Sequence, residues 1–277
     1  LRVFFDGFYP NLAALYRTLG IDSQPINYSA SFGLLNERSY FRYDNYKLGR
    51  YSLPFFKGKR SVNSMALRIG WDIFRFFRQI PKSLASGIAD DLTLEDYLRL
   101  HNYSRKFAEG FLYPAFAAIC TCSHAAIKDY PARVVLEYLD TGLLFSSVRR
   151  VTQGTQAVVR RLAAAVQQVH FNTEVQRVIP EARGVSLQTP AGRSSFDHVV
   201  LATQANQSAG LLNDALSEER DVLSAFNYEP SRVICHRDTR LAPPGGPPQW
   251  APVNFLLKDR QAAPMATIWM NAIQSMP

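Results

Sequence analysis

The chain has 277 residues, a hydrophobic content of 47% and a formal net charge of +8. This is enough for one or two domains with sizeable cores. No apolar run approaches the ~18–20 residues of a membrane-spanning helix, so the sequence predicts none. The charge suits an acidic partner, such as nucleotide phosphates, an anionic membrane or nucleic acid. Basic residues, however, are scattered in pairs such as Arg149 and Arg150 and do not form one continuous run. We therefore predict no nucleic-acid partner.

Three cysteines, an odd number, do not form a disulfide framework. They indicate a reducing compartment, and we expect the cytoplasm. The sequence shows no signal peptide. It begins at Leu1 and ends at Pro277, so we expect a piece of a longer protein or a truncated product.

Residues 2–8 predict a strand or an extended loop at the start of the chain. Pro10 begins a helix that Gly20 ends. Its predicted apolar face consists of Leu12, Leu15, Tyr16 and Leu19. Polar and apolar residues alternate roughly over 28–43, which predicts two or three antiparallel strands.

Residues 62–80 form the clearest predicted helix. One stripe is apolar and a second is basic. The apolar stripe consists of Val62, Met65, Ala66, Ile69, Ile73, Phe76, Phe77 and Ile80, and the basic stripe of Arg68, Arg75, Arg78 and Lys82, with Trp71 beside it. The main interpretation is a core helix with a solvated basic face. The alternative is a helix that lies on an anionic membrane surface or guides a lipid-like substrate.

Three further helices are predicted before residue 149. Thr93 is the predicted N-cap of the first, with Asp96 at N3. The second covers 103–120 and is kinked by Pro114, and the third begins at Pro131. Cys120, Cys122 and His124 alternate along the chain, a spacing that shares one face only on a strand. No second Cys/His pair lies nearby, so we predict no metal site.

The stretch 149–212 can be divided into elements almost without gaps. A turn at Gln153 and Gly154 leads into a helix whose apolar face is Val158, Val159, Leu162, Ala163 and Val166. Predicted strands follow at 169–171, 175–179 and 184–189, with a hairpin turn at 190–192. Residues 197–203 end in a continuous apolar run that predicts a buried parallel strand. Beyond 212 we predict a helix over 218–226 and a strand over 230–238.

These segments resemble flavin-containing amine oxidases and the related phytoene-desaturase-like oxidoreductases. The turn VTQGT, the helix after it and the closing run DHVVLAT carry the most specific part of the resemblance. Other matching segments are YPNLAALYRTLGI, FLYPAFAAICTCS and TIWMN. Gln153 stands where the family has the first glycine of a Gly-Gly turn.

The resemblance implies a mixed α/β fold, with a partial FAD/NAD(P)-binding Rossmann-like domain and an inserted substrate domain of helices and antiparallel sheet. The implied FAD domain is 1–27 with 149–212, and the substrate domain is 28–148 with 213–277. The family's G-x-G-x-x-G unit and its closing flavin-binding segment are not in this sequence, so we expect a fragment.

The resemblance also implies FAD as cofactor, hydride transfer from a substrate C–N or C–C bond, and a small apolar or amine substrate. It places Gly154, Thr155, Val175, Ala202 and Thr203 at the cofactor. Cys120, Thr121 and Trp269 are placed in the substrate pocket. No catalytic side chain is assigned, since G-x-S-x-G and P-loop motifs are absent from the sequence. A non-catalytic or vestigial binding protein with the same fold is the alternative.

Overall fold

The computed structural model describes residues 3–34, 40–48, 51–58, 61–142, 146–212, 216–228, 230–243, 246–257 and 265–274. The chain divides into two compact units, residues 1–162 with 231–277 and residues 163–230. The mixed α/β fold predicted from the sequence is confirmed. The predicted assignment of an FAD domain and a substrate domain stays a prediction.

The larger unit holds most of the helices and two sheets. Its elements before residue 100 are α1 (Pro10–Thr18), β1 (Ser23–Pro25), β2 (Ala30–Leu34), β3 (Tyr40–Leu48), β4 (Tyr51–Phe56), α2 (Ser64–Ser86) and α3 (Leu94–Leu100). The next are α4 (Arg105–Phe107), a π-helical turn (Ala108–Leu112), α5 (Tyr113–Cys120), α6 (His124–Lys128), α7 (Ala132–Asp140), β5 (Arg149–Val151) and α8 (Gly154–Ala163). The last are 3-10 turns at Thr239–Leu241 and Pro247–Gln249, β9 (Val253–Leu257), β10 (Met265–Ile268) and α11 (Met270–Ile273).

A five-stranded sheet in the order β10-β9-β2-β3-β4 forms one wall of the main core. The pairing of β2 with β3 is antiparallel, as predicted for 28–43. β4 lies beyond the predicted strands and also pairs antiparallel with β3, whereas β2 and β9 pair in parallel. Phe32 stacks between Phe41 and Phe255, with ring centroids at 5.0 and 4.6 Å. These rings are buried in the core. They therefore stabilise the fold and do not line an open pocket.

Helix α2 closes this core against the sheet. Its inner face buries Ala66, Ile69, Phe76 and Ile80, four members of the predicted apolar stripe. The helix continues six residues beyond the predicted end at Ile80, through Pro81, because Gly87 supplies the left-handed C-cap. The predicted helix is confirmed, with a longer C-terminal end.

The second predicted helix departs from regular α-helix just before Pro114. Proline lacks an N–H, and its ring conflicts with the carbonyl four residues earlier, here that of Gly110. The π-helical turn at Ala108–Leu112 widens the helix at that carbonyl. The helix is therefore irregular just before Pro114, while the predicted kink stays a prediction. The helix begins at Arg105, after the N-cap Ser104.

In its described residues, the smaller unit contains a three-stranded antiparallel meander and two helices. Its elements are β6 (Arg177–Pro180), β7 (Val185–Thr189), β8 (Gly192–Phe196), α9 (Ala205–Leu211) and α10 (Ser217–Ser224). The hairpin turn predicted at 190–192 joins β7 and β8, which confirms that prediction. α9 ends beside the meander, where Leu212 bridges Val178 in parallel.

Three predicted strands are wrong. Residues 169–171, 197–203 and 230–238 have no strand structure. A strand requires a partner backbone for its hydrogen bonds, and none of the described residues pairs with these stretches. The run 197–203, predicted to be buried, leaves Val200 90% exposed.

The residues that the structure describes include no helix that combines the length and apolar character required to cross a membrane.

Candidate functional site

The turn between β5 and α8 exposes the N-terminus of a helix. Gly154 opens α8 with a φ of +76°, and a Cβ at this position would meet no atom within 4 Å. Gly154 and Thr155 are exposed, and the first turn of α8 contains no acidic residue. The first N–H groups of a helix lack partners within it and carry partial positive charge. This turn can therefore accept an anionic group such as a phosphate.

Side-chain and backbone contacts fix this turn in place. Thr152 donates hydrogen bonds to the Asp22 carbonyl from its backbone N–H at 3.0 Å and from its hydroxyl at 3.2 Å. The Arg149 guanidinium donates to the Ser23 carbonyl oxygen at 2.7 Å and to its Oγ at 3.0 Å. Because β5 also pairs with β1, both backbone and side-chain contacts anchor the entry to α8 on the segment 22–25.

Helix α8 is held to α1 by one buried side chain and one arginine. Val158 packs in a small core with Phe4 and Tyr16. Arg161 donates from Nη1 to the carbonyls of Leu19, at 3.0 Å, and Gly20, and so caps the C-terminal end of α1. The predicted apolar face of α8 is wrong beyond Val158: Val159 and Leu162 are exposed, and Val166 lies after the end of the helix.

The other three predicted cofactor residues belong to the smaller unit. Val175 is half-buried just before β6, where Gln176 donates its N–H to the Gln188 carbonyl at 2.8 Å and extends the meander. Ala202 and Thr203 are exposed just before α9. The Thr203 hydroxyl shares a 2.7 Å hydrogen bond with that of Ser208. Gly154 and Thr155 belong to the larger unit, so the predicted cofactor set is divided between the two units.

The structure brings the predicted substrate residues onto neighbouring elements. Cys120 and Thr121 end α5, which lies against β10, and Trp269 directly follows β10. Thr121 adopts the left-handed conformation with a φ of +53°, and Cys122 donates its N–H to the Ala117 carbonyl at 2.9 Å. This is a Schellman ending, in which the left-handed position is usually glycine. A β-branched residue there is strained.

Two half-buried side chains surround this helix end. Burial raises the pKa of the Cys120 thiol, and a hydrogen bond from Tyr130 opposes the shift only in part. The thiol is therefore protonated at neutral pH. Burial, followed by the nearby charge of Lys128, lowers the pKa of His124, which is neutral at the same pH. The Cys120 and His124 side chains are thus both uncharged near neutrality.

Trp269 pairs with a second tryptophan. The rings of Trp269 and Trp250 meet edge to face, with centroids 5.4 Å apart. Trp250 donates its indole N–H to the Pro243 carbonyl at 2.8 Å, and Trp269 donates its backbone N–H to the Pro252 carbonyl at 2.9 Å. The pair is therefore a positioned aromatic surface, and Trp269 directly follows β10, the strand against which α5 lies.

Metal ligands do not gather in the part of the chain that the structure describes: no group of three His, Cys, Asp or Glu residues there has the arrangement to hold an ion. None of the three cysteines forms a disulfide.

One buried charge cluster was missed from the sequence. Asp72 lies on the inner face of α2 and is fully buried. Arg68 and Arg75 approach its carboxylate at 3.3 and 3.1 Å, and Ser104 donates to it from both its N–H and its hydroxyl. The sequence feature that could have revealed this cluster is the position of an acidic residue, Asp72, between Ile69 and Phe76 of the apolar stripe.

A second missed cluster lies on the sheet. Asp44 is buried between Arg42 and Lys57, whose ammonium is 2.5 Å from its carboxylate. Burial alone would raise the pKa of Asp44, but hydrogen bonds from Lys57, the Asn45 N–H and the Asn27 amide outweigh it and hold that pKa below its usual range. The carboxylate is thus charged at neutral pH and fastens the β3–β4 hairpin.

Comparison with known proteins gives one family match. Residues 2–240 match the sequence model of a family described as flavin containing amine oxidoreductase. No curated protein sequence matches the chain significantly.

Several solved structures share the fold. A CLA-producing fatty acid isomerase from P. acnes has a TM-score of 0.54 at 15% identity, covering 81% of this chain and 51% of its own. A double mutant of putrescine oxidase, from a redesign of cofactor binding, has a TM-score of 0.54 at 16% identity, covering 80% and 51%. Wild-type putrescine oxidase bound to putrescine gives 0.51 at 15% identity, covering 76% and 48%. The chain spans about half the length of these structures.

Proposed function

Because the chain belongs to the flavin-containing amine oxidoreductase family, we propose that it is part of an FAD-dependent oxidoreductase of the amine-oxidase type. The proposed reaction is hydride transfer from a C–N or C–C bond of a small substrate. When bound, FAD supplies the isoalloxazine ring that accepts the hydride. No side chain of this chain is assigned as catalytic, which agrees with a chemistry in which the protein mainly binds, orients and excludes water.

The exposed N-terminus of α8 is the observation that carries this proposal. Its first N–H groups, which have no partner within the helix, the positive φ of Gly154 and the open space above that glycine fit the approach of a dinucleotide. Gln153 is exposed, so its side chain does not fill this space from within the fold. We propose that Gly154 and Thr155 contact the cofactor through their backbone and hydroxyl groups. From the family resemblance we propose Val175, Ala202 and Thr203, which belong to the smaller unit, as further cofactor residues.

We propose that substrate binds near the end of α5 and the start of α11. The protonated thiol of Cys120 and the aromatic pair of Trp269 and Trp250 provide an uncharged surface for an apolar group. Thr121 is exposed at the helix end, and we propose that its hydroxyl positions a polar group of the substrate. Among the structural relatives, putrescine oxidase and a fatty acid isomerase carry an amine and a fatty acid in their names, which supports an amine or apolar substrate here.

The expected compartment stays the cytoplasm. The three cysteines, two of them half-buried and one exposed, form no disulfide, which supports a reducing environment.

Absorbance spectroscopy tests the cofactor. The purified chain is mixed with FAD, passed through a desalting column and scanned from about 350 to 500 nm, the region of flavin absorption. We expect flavin bands to remain with the protein. No bands and no binding at micromolar FAD would refute cofactor binding by this chain and leave the non-catalytic alternative.

Anaerobic reduction then tests the chemistry separately. Addition of putrescine, or of another candidate amine, to the FAD-loaded chain should bleach the flavin bands if this chain alone is competent. If the chain binds FAD but no amine or apolar candidate reduces the bound flavin, the cofactor assignment stands. The proposed activity of the isolated chain is then contradicted.

A further inference from the structure

Helix α2 exposes a second apolar stripe on the side opposite the core. Leu67, Trp71 and Phe74 are 59%, 56% and 56% exposed. The rings of Trp71 and Phe74 are 5.9 Å apart, so they form one aromatic surface. The sequence pattern assigned the apolar character of α2 to its core face, and this outward stripe is separate from that face. Single exposed apolar residues are ordinary on protein surfaces, but adjacent large ones on one helix mark an interaction site.

The same side of the helix continues into a basic segment. Arg78 and Lys82 follow at the next two turns, so the five positions 67, 71, 74, 78 and 82 have the spacing of one helix face. We call them the outward face of α2. Both basic side chains are exposed and make no ion pair with any residue in the described ranges.

No carboxylate faces this surface from α2 itself. The single acidic residue of the helix, Asp72, is buried on the core side. It is already engaged by Arg68 and Arg75. The outward face therefore presents aromatic and aliphatic side chains at one end and two uncompensated cations at the other.

The helix holds these side chains in a fixed arrangement. α2 has 23 residues, is capped at its start by the Asn63 side chain and ends at Gly87 in the left-handed conformation. Its length is roughly 35 Å. Its inner face is buried in the main core, so the outward face cannot rotate inward without unfolding that core.

We propose that the outward face of α2 docks on an anionic lipid surface. Large apolar side chains enter the boundary between headgroups and acyl chains, tryptophan is favoured at that level, and adjacent basic side chains bind lipid phosphates. The charges argue for lipid over an acidic protein, because the cations extend an aromatic surface and do not surround a pocket that a single carboxylate could fill. The helix lies along the surface and does not cross it. Such docking would bring the protein to membrane-bound or lipid-like molecules.

Vesicle binding tests this proposal with the full chain. Sedimentation is measured with phosphatidylcholine vesicles and with vesicles that also contain about 30% phosphatidylglycerol, at low and high salt. We expect binding to the anionic vesicles only, weakening as salt rises. Neutralising Arg78→Gln and Lys82→Gln should weaken binding roughly 25-fold, since each basic residue near the surface contributes about fivefold.

Matched variants distinguish the effect of the outward face on vesicle binding from the effects of net charge and of exposed apolar residues in general. Arg193→Gln with Arg237→Gln removes the same charge from exposed sites elsewhere and should leave binding within about twofold of wild type. Trp71→Gln with Phe74→Gln should abolish binding, whereas Val222→Gln with Phe226→Gln, which changes another exposed apolar pair, should not. Circular dichroism and thermal melting confirm that each variant is folded.

Three outcomes would overturn the proposal. The first is equal binding to neutral and anionic vesicles, or none to either. The second is an equal effect of the outward-face variants and their controls. The third is self-association of the chain without lipid that Trp71→Gln and Phe74→Gln remove, since the face would then be an interface between two copies.

Discussion

Ser104 donates its hydroxyl hydrogen bond to Asp72 over 2.5 Å, and this joins the N-cap of α4 to the middle of α2. The Ser104 backbone N–H donates to the same carboxylate oxygen at 3.2 Å. Asp72 is fully buried, while its partners Arg68 and Arg75 keep part of their side chains in solvent. The Asp72 carboxylate thus pairs with two arginines and accepts hydrogen bonds from the N-cap residue of α4.

Replacing Asp72 with asparagine should destabilise the protein. Asp72→Asn keeps the shape of the side chain but removes the charge that pairs with both arginines and accepts the hydrogen bonds of Ser104. We therefore expect the free energy of unfolding to fall by about 2–4 kcal/mol. Urea unfolding measures this. The control Asp90→Asn removes an exposed ion pair with Arg133 and should cost at most about 1 kcal/mol. Equal losses in the two variants would show that the Asp72 cluster is not a structural centre.

Thr121→Gly should stabilise the fold. Thr121 has a φ of +53°, and glycine removes the steric conflict of a β-branched residue there, worth about 1 kcal/mol. Asn102→Gly is the control, because Asn102 has a φ of +54° but asparagine tolerates this conformation. We expect its change to stay within about 0.5 kcal/mol. If Thr121→Gly instead lowers stability, the threonine makes a compensating contact that outweighs its strain. If it gains stability but weakens substrate reduction of the flavin, the hydroxyl has the positioning role proposed above.

Local signals predicted much of the fold correctly. Thr93 accepts a hydrogen bond from the Asp96 N–H at 3.1 Å, as a predicted N-cap should. The helix α2 and the hairpin of β7 and β8 follow from periodicity and turn residues, which depend on neighbours within a few positions. These signals also located Gly154 at a turn before a helix.

Long-range partners account for what the sequence did not predict. The parallel pairing of β2 with β9 joins residues such as Ser31 and Asn254, whose side chains also hydrogen-bond at 2.7 Å although 223 positions separate them. The Asp72 cluster depends on Ser104, which is 32 positions away. The apolar run 197–203 has the composition of a buried strand, yet composition cannot supply the partner strand that burial requires.

Cys120 should react slowly with alkylating reagents. Burial raises the pKa of its thiol, with Tyr130 opposing, so little thiolate is present at neutral pH. Cys235 is exposed. Mass spectrometry after brief iodoacetamide treatment at neutral pH should therefore find Cys235 modified before Cys120, and the rate at Cys120 should increase when the pH is raised. Faster labelling of Cys120 would indicate that its thiol is open and ionised.

Stability should decrease as the pH falls through the histidine range. Burial lowers the pKa of both His101 and His124, assisted by Arg75 and Lys128 respectively. Below about 6.5, the ordinary histidine value, the unfolded chain binds protons that the folded chain does not, so protonation favours unfolding. The contribution is fully present above that pH and is lost progressively below it.

Urea unfolding between pH 8 and pH 5 measures this dependence. The slope with pH should flatten in His101→Gln and His124→Gln, whatever their absolute stability. His170→Gln, at an exposed position, should keep the wild-type slope. An unchanged slope in both buried variants would assign the pH dependence to other groups.

Gly154→Ala should impair FAD binding more than it impairs folding. The positive φ of Gly154 makes alanine cost about 1 kcal/mol of stability, although a Cβ meets no protein atom within 4 Å. If a dinucleotide occupies that open space against the first N–H groups of α8, the added methyl group intrudes between backbone and ligand, and FAD should bind at least roughly tenfold more weakly. Gly58→Ala is the matched control, since Gly58 has a φ of +85° and equally open space. Urea unfolding and an FAD titration on both variants separate the two effects. Strain alone should affect both glycines alike. A similar stability loss in the two variants, with weakened FAD binding only in Gly154→Ala, would therefore assign the α8 N-terminus to the cofactor. Unchanged FAD affinity in Gly154→Ala would remove that assignment.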